Sequence, residues 1–311
     1  MHLLKYIAQR LGIALAGLAL LIFAYGFAQF VLENWMTPVQ SGSEDLAYHI
    51  SGSGPTTVIA LHGIAGSSRY FQGRLTPFFT QSQLIAFDLL GFGLSPKPRS
   101  TYSSAAHLTA LRWTTRKITD SRPYVLVGHS MGTLLAIEWA TAHPEEVASL
   151  VLFSLPLFAN EQLAREHLQN DSRMVRDLAR LNWYSEASCY FRALYRLPRM
   201  AEWFGVPEDI YEDGTRHTWN SLSGSMKEIV MASGYTEKLK ALRIPVTIVQ
   251  GDADTVAPLD HVQTVVATMQ NARLVTVPKG GHHILLNDQE VLHKLLCAGE
   301  LSRCDLSAAK K

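Results

Sequence analysis

The sequence predicts an α/β protein: a mostly parallel, doubly wound sheet with an inserted helical cap and an N-terminal transmembrane helix. Three observations predict this fold. Short β-rich runs alternate with helical stretches from residue 57 onward, as in a parallel sheet covered by helices. One long stretch between two of these runs contains no convincing buried strand. The first 32 residues include a long apolar run without charge.

The apolar run extends from Leu11 to Leu32, and Gln29 is its only strongly polar residue. As a helix it would reach about 33 Å, enough to cross a hydrocarbon core of about 30 Å. A buried core helix would carry a polar stripe, which this run lacks. A cleaved signal peptide would have a shorter run followed by small residues, whereas bulky residues occupy positions 30–32. The pattern favours residues 1–32 as an uncleaved membrane anchor.

Positive charge is distributed unevenly around this anchor. Lys5 and Arg10 precede the run, and the next Lys or Arg is Arg69. The positive-inside rule leaves the N-terminus in the cytoplasm and the rest of the chain on the non-cytoplasmic side, which is the periplasm in a Gram-negative bacterium. Residues 33–45 are predicted to be a polar linker, and the membrane is a partner through the helix.

The remaining composition is that of a globular protein with a large core. The 311 residues include 47% hydrophobic residues and carry a formal net charge of +1, from 28 basic and 27 acidic residues. This balance predicts no nucleic-acid partner. We expect an α/β core at 46–156 and 242–300, with the helical cap at 157–241.

Six buried strands are predicted, and four of them end at a loop with a candidate functional residue. Open parallel sheets place their sites beyond these carboxyl ends. The predicted strands are Thr57–Leu61, Leu84–Asp88, Tyr124–Val127, Leu150–Ser154, Val246–Gln250 and Leu274–Val277.

The third strand runs directly into Gly128-His129-Ser130-Met131-Gly132, which opens a helical run. This is G-x-S-x-G in the strand–turn–helix context that the motif requires. The tight turn would expose the hydroxyl of Ser130 over the sheet, and glycines leave room where side chains would collide with backbone. A helix N-terminus behind it favours a developing oxyanion. Ser130 is therefore the candidate nucleophile, which needs a base oriented by an acid.

Several landmarks in chain order resemble the α/β hydrolases, in the branch with a helical cap. They are His62-Gly63-Ile64 after an early strand, Asp88-x-x-Gly91-x-Gly93-x-Ser95, the serine pentapeptide, GDAD after the fifth strand and GGHH after the sixth. The resemblance covers Leu46 to Leu296. The fold expects the order Ser, then Asp or Glu, then His.

The resemblance implies the other two members of a catalytic triad. His282, after two glycines, matches the family's G-H loop, with His283 as the alternative base. Asp254 matches the pattern G-x-x-D-x-x-x-P, with Asp252 as the alternative acid. The resemblance also implies oxyanion donors at the backbone N–H groups of Met131 and Ile64. His62 is expected to orient the second loop.

A serine nucleophile excludes the carboxylate chemistry of haloalkane dehalogenases and epoxide hydrolases, which share this fold. The expected reaction is hydrolysis of a carboxylic ester through an acyl-Ser130 intermediate, without a cofactor or metal. A small-molecule or lipid-like ester, such as a monoacylglycerol, is the expected substrate. Three alternatives stay open: a carbon–carbon hydrolase of ring-cleavage products, to which DTVAPLDH (254–261) is similar; an acyltransferase or thioesterase; and a non-catalytic ligand-binding member of the fold.

Aromatic residues are frequent in the predicted cap, and Trp183 to Trp219 is expected to form a lid over Ser130 that sets substrate choice. In an oxidising compartment Cys297 and Cys304 could form a disulfide, and free thiols are the equal alternative.

Overall fold

The computed structural model describes residues 2–75, 82–171, 173–191, 206–287 and 290. Cys297 and Cys304 therefore lie outside the described residues. The described elements confirm the predicted fold class, a mostly parallel sheet covered by helices.

Seven strands form one sheet in the order β1-β3-β2-β4-β5-β6-β7. Only β1 is antiparallel, and it pairs with β3 at the edge. The other strands pair in parallel and lie within a few residues of the six predicted runs. Their bounds are β1 Tyr48–Ser51, β2 Thr56–Leu61, β3 Ser82–Phe87, β4 Tyr124–His129, β5 Val147–Phe153, β6 Val246–Gly251 and β7 Ala272–Val277.

Helices cover both faces of the sheet and supply the insertion between β5 and β6. In chain order the α-helices are α1 His2–Val31, α2 Ser104–Ile118, α3 Met131–Ala142, α4 Glu161–Gln169, α5 Arg173–Arg180, α6 Trp183–Tyr190, α7 Glu208–Gly214, α8 Trp219–Ser225, α9 Tyr235–Ala241, α10 Leu259–Val266 and α11 Ile284–Asn287. Short π-helical turns follow α1 at Leu32–Met36 and α8 at Met226–Val230.

The centre of the sheet is buried because side chains pack on both of its faces: Leu126 of β4 packs in one cluster with residues of α3, and Val127 packs in a second cluster with Tyr70 and Phe71. Every residue of β4 is buried, and so is every residue of β2 after Thr56. Helix α3, which follows β4 directly, is almost entirely apolar and lies inside the core with Trp139 fully buried. A strand and a helix that are both this deeply buried fix the turn between them rigidly.

The cap helices begin where short polar side chains can satisfy free N–H groups. Asn160 caps α4, Asn182 caps α6, and Thr218 caps α8 through a capping box with Ser221. Of the aromatic residues predicted in the cap, Tyr195, Trp203 and Phe204 lie outside the described residues. Trp183 is exposed and Tyr190 is buried.

The segment predicted as a linker is hydrogen-bonded to the sheet domain. The backbone of Arg99 donates to the carbonyl of Pro38 at 2.7 Å and accepts from the N–H of Gln40 at 3.0 Å. Its guanidinium donates to the carbonyls of Thr37 and Asn34. Residues 34–40 therefore follow a defined path from α1 to the sheet domain.

Candidate active site

The candidate nucleophile occupies a strained turn between β4 and α3. Ser130 has φ +50° and ψ −122°, a backbone conformation that side chains rarely adopt. Its N–H donates to the carbonyl of Phe153 in β5 at 3.0 Å. Its own carbonyl accepts from the N–H and the hydroxyl of Thr133 in the first turn of α3. These bonds hold the strained conformation, which costs about 1–3 kcal/mol.

Two glycines make this turn possible by allowing close backbone approach. A methyl group on Gly132 would collide with the carbonyl oxygen of Leu61 at the end of β2. A methyl group on Gly128 would lie 2.6 Å from the backbone nitrogen of Thr133. The turn therefore sits directly against the neighbouring strand end.

The structure brings Ser130, His282 and Asp254 together from three separate loops. The Oγ of Ser130 lies 3.0 Å from Nε2 of His282. The other ring nitrogen, Nδ1, lies 3.1 Å and 3.0 Å from the two carboxylate oxygens of Asp254. Ser130 and Asp254 are each 7% exposed. This is the geometry in which a base can take the hydroxyl proton while an acid orients the base.

Asp254 is held in its ionised form. Burial raises the pKa of this carboxyl, but the hydrogen bond and charge of His282 and the N–H groups of Ala257 and Val256 outweigh that effect, so the pKa is lowered. Both N–H groups donate to Oδ1 at 2.9 Å. An ionised Asp254 keeps the proton of His282 on Nδ1 and leaves Nε2 to face Ser130.

The alternative acid and base occupy other positions. Asp252 accepts a 2.6 Å hydrogen bond from the N–H of Lys279 and thereby ties the loop after β6 to the loop after β7. His283 points its Nδ1 at the hydroxyl of Tyr70, 3.5 Å away. Burial, followed by the charge of His282, lowers the pKa of His283 to about 4.

The loop after β2 passes over the nucleophile. A methyl group on Gly63 would lie 3.0 Å from Cβ of Ser130, so the loop packs directly against this side chain one residue before Ile64. His62 shapes this loop: its Nδ1 donates to the carbonyl of Gly63 at 2.6 Å, and its Nε2 accepts from the N–H of Leu89 at 2.9 Å. Burial lowers the pKa of His62, so the ring is neutral and serves as both donor and acceptor.

The second predicted oxyanion donor, Met131, is the first residue of α3 and is fully buried. Its position directly after Ser130 places its N–H at the N-terminus of a twelve-residue helix. The helix dipole favours negative charge at that end.

The landmark around Asp88 shapes a turn beside the site. Its Oδ1 accepts from the N–H of Ser68 at 2.6 Å, and its Oδ2 accepts from the N–H of Leu94 at 2.7 Å. Gly93 has φ +53°, and a methyl group there would collide with the Asp88 carboxylate. Asp88 thus fixes the far end of the loop that holds Ile64.

A contact that the sequence did not reveal joins the cap to the same loop. Asp213 at the end of α7 accepts from the hydroxyl of Ser67 at 2.6 Å and lies 3.3 Å from the guanidinium of Arg69 and 3.4 Å from that of Arg216. Asp213 is 4% exposed. No local signal identifies it, because Ser67 is 146 positions away in the chain.

In the part of the chain that the structure describes, one group of three side chains is close enough to hold a metal ion: His143, Glu145 and Glu146. The Glu146 carboxylate already binds the guanidinium of Arg112 and the indole N–H of Trp139. The group lies at the amino end of β5, whereas Ser130 lies at the carboxyl end of the parallel strands, so the group has no part in the site.

Comparison with known proteins agrees with the fold. The profile of the alpha/beta hydrolase family matches residues 58–294. Probable lysophospholipase BODYGUARD 4 of Arabidopsis thaliana is 29% identical over 224 residues, which cover 65% of this chain and 53% of that protein. The chain thus spans about half the length of this relative.

Two solved esterases share the fold. The esterase from Exiguobacterium antarcticum superposes with a TM-score of 0.65 at 17% identity, covering 84% of this chain and 98% of that structure. The thermophilic esterase from Thermogutta terrifontis gives a TM-score of 0.65 at 19% identity, covering 84% and 96%.

Proposed function

The chain belongs to the α/β hydrolase family, and on that premise we propose that it is a serine hydrolase that cleaves carboxylic esters through an acyl-Ser130 intermediate. One observation carries the proposal: Ser130 Oγ lies 3.0 Å from a His282 ring whose other nitrogen is bonded to a buried, ionised Asp254. Membership of this family and the fold shared with two esterases support a hydrolase, while the serine mechanism is inferred from this site.

The proposed reaction proceeds in two halves. Nε2 of His282 takes the proton of Ser130 as Oγ attacks the ester carbonyl carbon, and Asp254 stabilises the resulting imidazolium. The tetrahedral oxyanion would accept from the N–H groups of Met131 and Ile64, each contributing about 3 kcal/mol. His282 then protonates the departing alkoxide. Water, deprotonated by His282, attacks the acyl carbon, and His282 returns this proton to Ser130 Oγ as the acyl–oxygen bond breaks and the acid leaves.

We propose a lipid-like ester as the substrate. The supporting observations are the apolar helix α1 and the contact of the cap, through Asp213, with the loop that packs on Ser130. The name of BODYGUARD 4 as a lysophospholipase points in the same direction. In this proposal the region from Trp183 to Trp219 is a lid that sets acyl-chain preference, and α7 brings the lid to the loop at Ser67.

We further propose that α1 anchors the enzyme in a membrane. Among the described residues α1 is the one helix that is long and apolar enough to span a bilayer, and its side chains are largely exposed. The positions of Lys5 and Arg10 support a cytoplasmic N-terminus and a catalytic domain on the other side.

A fluorophosphonate probe tests the mechanism directly. We expect the full-length protein in detergent to gain one covalent adduct at Ser130, located by peptide mass spectrometry, and Ser130→Ala to gain none and to lose turnover by about 10⁶-fold. An alanine variant with more than a few per cent of wild-type activity would overturn the assignment. A chain-length series of aryl esters and a lysophospholipid, assayed in parallel, tests the substrate class. A preference confined to the shortest esters would contradict a lipid-like substrate.

A further inference from the structure

The backbone carbonyl of His282 accepts two side-chain hydrogen bonds. Nε2 of His129 lies 2.9 Å from this oxygen, and Oγ of Ser154 lies 2.8 Å from it. Both donors are buried, with His129 3% and Ser154 0% exposed. A carbonyl oxygen has two lone pairs, so these donors satisfy it completely.

The two donors come from the strand ends that also hold the nucleophile. His129 is the last residue of β4 and immediately precedes Ser130. Ser154 directly follows Phe153, which pairs with His129 in the sheet and accepts the N–H of Ser130. Ser130 and the backbone of His282 are therefore fixed to the same pair of strands, although they lie 152 positions apart in the chain.

The loop that carries His282 needs such a constraint. It runs from β7 through Lys279, at φ +58°, and then through Gly280 and Gly281. Glycine has the largest backbone freedom to lose on folding. Asp252 and Ala253 hold the first part of the loop at Lys279 and Gly280. The bonds to the His282 carbonyl hold the part that matters for proton transfer.

His129 is built to act as a donor. Burial, followed by the charges of His282 and His283, keeps the pKa of His129 well below its usual value, so the ring is neutral and carries one proton. A carbonyl oxygen as the partner of Nε2 places that proton on Nε2. The ring of Tyr70 stacks on it with centroids 4.3 Å apart and fixes its plane.

Ser154 retains its side chain at a backbone position that suits glycine. Its φ is +53°, in the left-handed region, and its N–H donates to the carbonyl of Val249 in β6 at 2.9 Å. A side chain there costs about 1–3 kcal/mol relative to relaxed backbone. Glycine would remove that cost and would also remove the hydroxyl.

We infer that His129 and Ser154 are a pair of positioning residues that hold the backbone of His282 so that its Nε2 stays within hydrogen-bonding reach of Ser130. The inference rests on the proposed role of His282 as the general base. Neither side chain touches the reacting atoms. Their effect is on the fraction of time that the imidazole spends in the productive geometry.

Single variants that remove one donor test this role. His129→Phe keeps a planar ring against Tyr70, and Ser154→Ala keeps the shape of the site. We expect each to lower kcat about 10–100-fold, because small misplacements of a catalytic group have effects of this size, with KM unchanged within about threefold. Fluorophosphonate labelling should slow by the same factor. Ser149→Ala, at a buried serine in β5, the strand that Ser154 follows, is the matched control and should leave kcat unchanged.

Three further variants separate positioning from general stability. Ser154→Gly should lose as much kcat as Ser154→Ala, although it relieves the backbone conformation. His129→Gln, which restores an N–H donor, should recover most of the activity. The double variant should lose less than the product of the two single losses, because both donors act on one carbonyl.

Several results would overturn the inference. One is a wild-type kcat in Ser154→Gly, and another is a kcat of His129→Gln as low as that of His129→Phe. A loss in the double variant equal to the product of the two single losses would also contradict it, as would single variants that lose thermal stability but keep the wild-type kcat. The Ser130→Ala variant distinguishes this failure from failure of the proposed function. If Ser130→Ala is inactive while the donor variants behave like the wild type, only the positioning role is wrong. If Ser130→Ala is active, the proposed mechanism is wrong.

Discussion

The carboxylate of Glu33, one residue beyond the predicted anchor, accepts a 2.8 Å hydrogen bond from the backbone N–H of Trp219 at the start of cap helix α8. Two neighbouring contacts strengthen this junction. The ring of Phe30 packs edge-to-face on Tyr190 with centroids 5.6 Å apart, and Nδ2 of Asn34 donates to the Tyr190 hydroxyl at 3.1 Å. The end of the apolar helix is therefore part of the packing of the cap.

This junction predicts a length-dependent effect of N-terminal truncation. Removal of residues 1–25 spares the contacts of Phe30 and Glu33 and should leave a protein that hydrolyses a short aryl ester at the wild-type rate. Removal of residues 1–36 deletes those contacts and should lower Tm by several degrees, since loss of a helix-capping acceptor alone costs about 0.5–2 kcal/mol. Tm and aryl ester kinetics of the two proteins provide the measurement, and equal Tm values would contradict the expectation.

The point variant Glu33→Ala isolates the hydrogen bond to Trp219. It should lower Tm in the same direction as the longer truncation, by a smaller amount. Glu237→Ala, which removes an exposed carboxylate elsewhere on the surface, is the control and should leave Tm unchanged.

The two acidic and two imidazole candidates should differ sharply in kinetics. Asp254→Asn should lower kcat about 10⁴-fold, because the amide favours the wrong tautomer of His282. His282→Ala should lower it about 10⁶-fold. Asp252→Asn and His283→Ala leave the Ser130–His282–Asp254 bonds in place and should stay within about tenfold of the wild type. A reversed ranking in steady-state assays would transfer the roles to the neighbouring residues.

The contact of Asp213 with Ser67 predicts that the cap influences the loop over the nucleophile. Asp213→Ala leaves Arg69 and Arg216 without a shared carboxylate and frees the hydroxyl of Ser67. We expect kcat/KM to fall about tenfold for short and long esters alike, because the loop that holds Ile64 loses a fixed point. Asp209→Ala, an exposed carboxylate on the same helix, should behave like the wild type. A loss confined to long-chain esters would show that Asp213 shapes the lid alone.

Buried imidazoles predict a loss of stability in acid. Burial lowers the pKa of His107 to about 3 and, with the charge of His282, that of His283 to about 4. The unfolded chain takes up these protons near pH 6.5 and the folded chain does not, so the free energy of unfolding falls as pH drops from about 6.5 towards 4. Each group contributes a slope of up to about 1.4 kcal/mol per pH unit.

His107→Phe tests this linkage. In denaturant titrations between pH 6 and pH 4, the unfolding free energy of the variant should fall less steeply with decreasing pH than that of the wild type. The difference in slope should correspond to the uptake of about one proton, or about 1.4 kcal/mol per pH unit. His49→Phe, at an exposed position in β1, serves as the control. Parallel curves for wild type and His107→Phe would contradict the prediction.

The parallel strands could be predicted because burial on both faces leaves uninterrupted apolar runs such as Tyr124–Val127. Strand β1 was not predicted. Tyr48–Ser51 is exposed at the edge of the sheet and is held by backbone hydrogen bonds to β3, so it has no apolar pattern. An edge strand of four residues buries too few side chains to produce a recognisable pattern of apolar residues.

The parts of the site that depend on neighbouring residues in the sequence could be predicted. The turn at Ser130 is encoded by its own five residues, whereas the choice between Asp252 and Asp254 required a family pattern, because both follow the same strand. The role of Ser154 could not be predicted at all. Its partner is a backbone oxygen 128 positions away. Because every residue has a backbone carbonyl, the sequence does not show which one Ser154 would bind.

The packing of α1 on the cap has a consequence for how the enzyme would meet a lipid. A methyl group on Gly26 would collide with the ring of Phe191, and Gly26 lies six residues, or about 9 Å, inside the end of the apolar run at Leu32. With α1 in a bilayer, as proposed, Phe191 at the C-terminus of α6 therefore lies within the outer part of the hydrocarbon layer. The substrate would then reach the enzyme by diffusion within the leaflet. Turnover should follow the mole fraction of ester within the leaflet, and dilution with inert lipid should slow the enzyme at constant bulk concentration.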